Sequence, residues 1–263
     1  MKAYELERAQ LLFYRENGYL VVDNILQDEE CERMVRIYKS CAKPDFRGIM
    51  NLERGIVRYE ENDIVEEIPV DREDAEYVWR IIAHPVVTGI LESLQGGEVV
   101  NLQSMMLFKE ANSPYAAQAW NPHQDNVYPS APYGMYMTGN FAFEDQDITN
   151  GCMFIYPGSH KEWILPAEKV QSFQEGPEKN PGHRIYEVPD CYIRHDLFLP
   201  KRSVLFLHGN VIHGSYPNIS PIRSRPMLLV PYGTCGISHT PGFVPGATAK
   251  RRERSLHTGE VLS

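Results

Sequence analysis

The apolar positions of the first third of the chain recur mainly at helical spacing. Leu6, Ala9, Leu12 and Phe13 lie on one face of an amphipathic helix, and Gly18 follows as its stop signal. Residues 43–75 have weak periodicity and are predicted to form loops with short elements. The other predicted elements are a helix over 5–17, a strand over 19–22, a helix over 28–41 opened by acidic residues, and a helical segment over 73–94 with a break near Pro85.

From Val99 onward the pattern changes to short apolar runs separated by Gly, Pro and Asn. These runs predict strands at Val99–Lys109, Met135–Glu144, Cys152–Tyr156, Ser203–His208, Val211–Ser215 and Pro226–Tyr232. A polar, proline-rich stretch over 166–200 interrupts them and is either an active-site lid or a surface excursion without function. Helices followed by antiparallel strands predict an α+β, mainly β chain, whose sandwich or open barrel has helices packed outside.

The length of 263 residues favours a single domain over 1–263. We divide it into a helical N-terminal part (1–95), a β core (96–245) and a tail (246–263). The basic run Lys250–Arg254 is predicted to be a solvated part of that tail.

Charge and composition exclude several classes of function. The formal net charge of −9 argues against nucleic acid as the main partner, because phosphate binding needs a basic surface. The chain has no apolar run long enough to cross a membrane and no apolar leader at its charged N-terminus. Its five cysteines include no CxxC pair, so we expect reduced thiols and a cytoplasmic location.

Two short motifs suggest a metal site. In Asn121–Asp125 the side chains of His123 and Asp125 would share one face of a strand. His208–Val211 is predicted to be a tight hairpin that returns His213 along the neighbouring strand. Two His and one carboxylate on one side of a metal form the facial triad of non-haem Fe(II) oxygenases. On spacing alone, a hydrogen-bonded His beside a surface Asp is the more common explanation of the first motif.

An arginine follows the second motif. Arg225 opens the apolar run Pro226–Tyr232, where a guanidinium is costly to bury without an anionic partner. Arginine binds carboxylates in a bidentate manner, so a dicarboxylate such as 2-oxoglutarate fits this position. A surface salt bridge at the strand end is the alternative, and Arg223 is the competing residue.

The order of these and other motifs resembles the phytanoyl-CoA dioxygenase family, which includes ectoine hydroxylase and amino-acid hydroxylases. The similar segments are Phe13–Val22, Gln103–Lys109, His123–Asp125, Asn150–Lys161, and Val204–Ser215 followed by Asn218 and Ser220. This chain has Arg202-Ser203 where the family usually has Gly-Asp, and its loop after His213 is one residue longer. We prefer Arg225 over Arg223 because Arg225 keeps the usual register with the next strand.

The resemblance implies a double-stranded β-helix, a cupin-like jelly roll, around an Fe(II) ion held by His123, Asp125 and His213. It also implies that Arg225 binds the distal carboxylate of 2-oxoglutarate, with help from Ser215. Residues at positions similar to co-substrate or substrate contacts of the family are Met105, Leu107 and Phe141 for 2-oxoglutarate and Gln103 for the substrate.

The activity implied by the resemblance is that of an oxidoreductase using Fe(II), 2-oxoglutarate and O₂. It would hydroxylate a C–H bond of a small, polar metabolite and release succinate and CO₂. Asp125 favours hydroxylation, because related halogenases carry a small residue there. Desaturation, cyclisation or another oxidative rearrangement, and a non-catalytic binding role, are the alternatives. Further candidate substrate contacts are Tyr128, Tyr133 and Tyr136 and, in the irregular N-terminal segment, Arg47, Arg54 and Arg58. We expect a monomer or a homodimer.

Overall fold

The computed structural model describes residues 6–41, 50–53, 56–61, 64–170, 182–237, 253–255 and 261–262. The helices are α1 (Arg8–Asn17), α2 (Asp28–Cys41), α3 (Arg72–Ile82) and α4 (Pro85–Gln95). The strands are β1 (Tyr19–Val22), β2 (Met50–Glu53), β3 (Ile56–Glu61), β4 (Ile64–Pro69), β5 (Val99–Asn101), β6 (Met105–Met106), β7 (Trp120–His123), β8 (Tyr136–Ala142), β9 (Met153–Ile155), β10 (Ala167–Val170), β11 (Gly182–Ile185), β12 (His195–Leu197), β13 (Val204–His208), β14 (His213–Ser215), β15 (Met227–Thr234), β16 (Glu253–Ser255) and β17 (Val261–Leu262). In the described residues no helix is long and apolar enough to cross a membrane.

Local signals explain the helix boundaries. Gly18 ends α1 in the left-handed conformation (φ 80°), and its N–H bonds to the Tyr14 carbonyl. The carboxylate of Asp71 accepts N–H groups at the start of α3. Pro85 occupies the first turn of α4, which is why the 73–94 segment divides there.

Two antiparallel sheets form the β core. The larger sheet has the order β1-β13-β8-β15-β6-β2-β3-β4, with β5, β16 and β17 attached beside β15. The smaller sheet has the order β12-β9-β14-β7. The predicted mainly β, jelly-roll fold with outer helices is confirmed.

The larger sheet is covered on both faces. One face packs against α1–α4 in a core that includes Phe141, Phe206 and Tyr232. The other face meets the smaller sheet in a second core, which includes Leu205, Leu229 and Ile155. Every residue of β8 is therefore buried. The space between the two sheets is where a binding site can form.

Three sequence predictions differ from the structure. The 43–75 segment contains the paired strands β2, β3 and β4. The 166–200 stretch contains the hairpin β10–β11 and the strand β12. Part of the predicted tail forms β16, which pairs with β5; Lys250–Arg252 lie outside the described residues.

The predicted hairpin at His208–Val211 is wrong. A turn exists there, closed by the Val211 N–H on the His208 carbonyl. However, β13 pairs with β1 and β8, whereas β14 pairs with β7 and β9. Val211 and Ile212, whose side chains are buried, therefore connect the larger sheet to the smaller one. The chain does not return along β13.

Candidate active site

His123 and His213 face each other across neighbouring strands. They are directly paired in the β7–β14 ladder, and their ring centroids are 4.4 Å apart. Asp125 follows His123 outside the strand, in a short 3₁₀ helix over Asp125–Val127. The expected i, i+2 strand geometry is therefore wrong, but the turn brings the carboxylate to the same point. One ligand atom from each of the three buried residues lies within 4.8 Å of the others.

The hydrogen bonds orient both imidazoles. Nδ1 of His123 lies 2.7 Å from the Asn121 carbonyl, and Nδ1 of His213 lies 3.1 Å from the Val211 carbonyl. Each Nδ1 must carry the proton, because a carbonyl only accepts. The Nε2 atoms, with their free lone pairs, lie 3.5 and 3.6 Å from Oδ1 of Asp125.

The protonation states suit a divalent cation. Burial lowers the pKa of His213 to about 4, against the opposing effect of Asp125. Burial alone would raise the pKa of Asp125, but His213, His123 and a hydrogen bond from Thr138 outweigh it and lower the pKa. Neutral imidazoles and an ionised carboxylate form the donor set that non-haem Fe(II) uses, so these residues fit the metal.

A cavity extends from the His-Asp-His cluster between the two sheets. Its lining includes the predicted residues Gln103, Met105, Leu107, Tyr128, Tyr136, Ser215 and Arg225, together with Trp120, Pro129, Met153, Gly214, Met227, Leu229 and Pro231. Most of these side chains are apolar and would exclude water from a group bound there.

Arg225 is fully buried in the wall of this cavity. Its Nε and Nη2 atoms have no hydrogen-bond partner in the described residues, and Nη1 contacts only the Met227 sulfur at 3.4 Å. Burial lowers its pKa to about 10, although Tyr115 opposes the shift. An unpartnered, fully buried guanidinium in the wall of a cavity fits an anionic ligand. Arg223, in contrast, is half exposed and pairs with Asp147 at the surface.

The prediction for Phe141 is corrected by the structure. Phe141 is absent from the cavity lining and packs in the core between the larger sheet and the helices. Successive β8 residues point to opposite faces, and the neighbours that face the site are Thr138, which contacts Asp125, and Asn140, which contacts Thr138. Tyr133 is also absent from the cavity lining; it is 44% exposed, and its ring is tilted against that of His208 with the centroids 4.8 Å apart.

The 166–200 insertion reaches the site through its hairpin. The backbone of β11 lies so close to Trp120 that a Cβ on Gly182 would be 3.3 Å from the indole. The His183 ring meets Tyr128 edge-on at 5.0 Å. Arg47 and Arg54 lie outside the described residues, and only the backbone of Arg58 is described.

Sequence reasoning missed Lys109, Trp120 and Thr138. Lys109 is fully buried, and its ammonium donates to Ser215 Oγ at 2.9 Å. Its position at the end of the apolar run Met105–Phe108 gives the same signal that singled out Arg225. Trp120 and Thr138 have no comparable signal, because aromatic and Thr residues are common in strands.

The phytanoyl-CoA dioxygenase (PhyH) family model matches residues 14–227. The chain is 27% identical over 220 residues to the peroxisomal phytanoyl-CoA dioxygenase of Rattus norvegicus, covering 81% of this chain and 64% of that protein. It is 26% identical over 223 residues to a probable phytanoyl-CoA dioxygenase of Caenorhabditis elegans, covering 81% and 71%. The chain thus spans slightly less than two thirds of the length of the mammalian peroxisomal relatives.

Two similar solved structures come from nogalamycin biosynthesis. The non-haem α-ketoglutarate-dependent carbocyclase SnoK has a TM-score of 0.68 at 18% identity, over 100% of this chain and 96% of that chain. The epimerase SnoN, solved with Fe³⁺, α-ketoglutarate and nogalamycin RO, has a TM-score of 0.65 at 20% identity, over 97% and 94%. These likenesses bear on the fold. The family match over residues 14–227 carries the assignment: the chain belongs to the phytanoyl-CoA dioxygenase family of Fe(II)- and 2-oxoglutarate-dependent oxygenases.

Proposed function

We propose that this chain uses Fe(II), 2-oxoglutarate and O₂ to oxidise a small molecule, with the metal held by His123, Asp125 and His213. The observation that carries the proposal is the shared cavity: the three ligands and the unpartnered guanidinium of Arg225 line the same space. A metal site alone would leave the buried Arg225 unexplained. A dicarboxylate co-substrate explains both features.

The bound iron and co-substrate would supply the oxidant for a substrate C–H bond, with loss of CO₂ and release of succinate. The chain supplies the rest. The carbonyls of Asn121 and Val211 fix the imidazole tautomers, and Thr138 holds Asp125. Arg225 and Ser215 orient the far carboxylate, while Met105 and Leu107 form the wall beside it.

Gln103, Tyr128 and Tyr136 are the proposed substrate contacts, because they line the same cavity. The only charged residues in the described lining are Asp125 and Arg225. In this proposal Asp125 binds the metal and Arg225 binds the co-substrate, so neither is available for the substrate. We therefore infer that the reacting part of the substrate is neutral. The hairpin β10–β11, with His183 beside Tyr128, is the proposed cover of this side of the cavity.

Hydroxylation is the favoured outcome, because Asp125 occupies the position that a halide would need. The two similar structures named above are an epimerase and a carbocyclase, so rearrangement is the second candidate. The mass of the product separates them: hydroxylation adds one oxygen, desaturation or ring closure removes two hydrogens, and epimerisation leaves the mass unchanged. A monomeric or dimeric state and a cytoplasmic location stay predictions.

Anaerobic titration with Fe(II) and 2-oxoglutarate tests the proposal. The wild-type protein should develop a weak visible charge-transfer band, and in air it should release succinate when the substrate is present. His213→Ala should lose both signals, whereas the matched control His195→Ala, at an exposed position of β12, should keep them. A wild-type protein without the band would be a non-catalytic binding protein, and an active His213→Ala variant would show that the ligand set is wrong.

A further inference from the structure

A second buried cation lies beside Arg225. Lys109 and Arg225 face each other in an isolated antiparallel bridge, with backbone hydrogen bonds of 3.3 and 3.0 Å in both directions. Both side chains are fully buried. Within the described part of the chain, neither forms an ion pair with a carboxylate. Two neighbouring buried positive charges without an anion destabilise a folded protein, so this arrangement needs an explanation.

The contacts of Lys109 connect it to the cavity. Its Nζ donates to Ser215 Oγ at 2.9 Å and to the carbonyl oxygen of Tyr216. An ammonium group has donors only, so the Ser215 oxygen must accept this hydrogen bond. The hydroxyl hydrogen of Ser215 is then free to point elsewhere, and Ser215 lines the cavity together with Arg225.

We propose that Lys109 is a positioning residue for the distal carboxylate of 2-oxoglutarate, acting through Ser215. Lys109 holds the Ser215 oxygen so that the hydroxyl donates to the carboxylate beside Arg225, and it adds a second positive charge behind that hydroxyl. This inference rests on the proposed function. Burial and the charge of Arg225 lower the pKa of Lys109 well below its usual range. An anion bound beside Arg225 would give these two buried cations the partner that no carboxylate of the described residues provides.

Binding of two keto acids tests this role. 2-Oxoglutarate and 2-oxopentanoate share the keto-acid end and the chain length, but only the first has the distal carboxylate. Their dissociation constants are measured anaerobically on the Fe(II) protein from the charge-transfer band. Lys109→Met should weaken 2-oxoglutarate binding by about 10-fold or more, as for a lost charge-assisted contact, and leave 2-oxopentanoate binding unchanged. A structural lysine would change both constants equally or neither, and that result would overturn the proposal.

A double-mutant cycle with Ser215→Ala tests the route through Ser215. Lys109→Met should have a much smaller effect on 2-oxoglutarate binding when Ser215 is already Ala. Fully additive effects would show that Lys109 does not act through Ser215. If Lys109→Met does not fold, Lys109→Gln replaces it, because its amide still donates to the Tyr216 carbonyl. The criterion stays the same: binding of 2-oxoglutarate should weaken more than binding of 2-oxopentanoate. Failure of the wild type to bind either keto acid would refute the proposed function itself, which separates the two failures.

Discussion

The backbone of Gly18 lies directly against the ring of His160, far away in the sequence. A Cβ at Gly18 would be 2.5 Å from Nδ1 and 2.6 Å from Cγ of that imidazole. Gly18 also has a left-handed φ of 80°. The end of the first helix is therefore held at the Ser159–Lys161 turn by a contact that admits no side chain.

Gly18→Ala should lower the free energy of unfolding by about 2–4 kcal/mol, the sum of the left-handed strain and the overpacking. Gly96→Ala is the matched control: Gly96 ends α4 with φ 77°, but nothing lies within 4 Å of its added Cβ. We expect a loss of about 1 kcal/mol there, from backbone strain alone. Urea unfolding measures both, and equal losses would mean that the His160 contact is unimportant.

Arg225→Ala should raise the KM for 2-oxoglutarate by about 10- to 100-fold, because a charge-assisted pair is lost. Arg223→Ala removes a half-exposed ion pair with Asp147 and a hydrogen bond to the Asp145 carbonyl, both away from the cavity. It should leave that KM unchanged and cost less than about 1 kcal/mol of stability. Succinate release at varied 2-oxoglutarate concentration gives both constants. The opposite ranking of the two variants would show that Arg223 is the carboxylate ligand.

His208 should make the protein sensitive to acid. Burial lowers its pKa to about 3, with a further contribution from His160. Its Nδ1 also accepts the Asn210 N–H at 3.0 Å, which only an unprotonated nitrogen can do. Between pH 6.5 and 3 the unfolded state binds a proton that the folded state does not, so stability falls as pH is lowered, by about 1.4 kcal/mol per unit for this group.

We expect the His208→Gln variant to lose less stability than the wild type between pH 7.5 and 5. Urea unfolding of chelator-treated protein at several pH values measures the two slopes. The exposed His195→Gln should keep the wild-type slope. Identical slopes in all three proteins would show that His208 is not a source of acid sensitivity.

Arg202 occupies the position where the resemblance led us to expect glycine, and it adopts a left-handed φ of 75°. Its side chain compensates by donating from Nε to the Leu26 carbonyl at 3.0 Å. Arg202→Ala loses this contact and keeps the strain, whereas Arg202→Gly loses the contact and removes the strain. The Gly variant should therefore be about 1 kcal/mol more stable than the Ala variant. A more stable Ala variant, the usual order of these residues, would contradict the assigned strain.

Local signals in the sequence predicted most helix limits, although α1 begins at Arg8 and not at residue 5. The acidic start of α2 and the glycine after α1 placed their limits correctly, because capping acts over a few residues. The strand faces were harder to predict. In β8 both faces are buried, so alternation of polar and apolar residues could not show that Phe141 points to the helices and Thr138 to the site.

Long-range features could not be read from the sequence. A turn containing Gly209 has the same pattern whether the chain returns along its neighbour or crosses to another sheet, and only packing decides between them. Lys109 had the same local signal as Arg225, but its contact with Ser215, 106 residues away, depends on packing in three dimensions. The triad itself was found because several motifs occur together in the right order.

The turn between β13 and β14 has a mechanical consequence. Residues 209–212 connect the larger sheet to the smaller one and end directly at His213, while Thr138 of the larger sheet holds Asp125. A shift of the larger sheet would therefore act on two of the proposed metal ligands, on Asp125 through Thr138 and on His213 through the short turn. The affinity for the metal should therefore depend on the relative position of the two sheets. Substitutions far from the cavity that shift one sheet should lower the affinity for iron before they cause other losses.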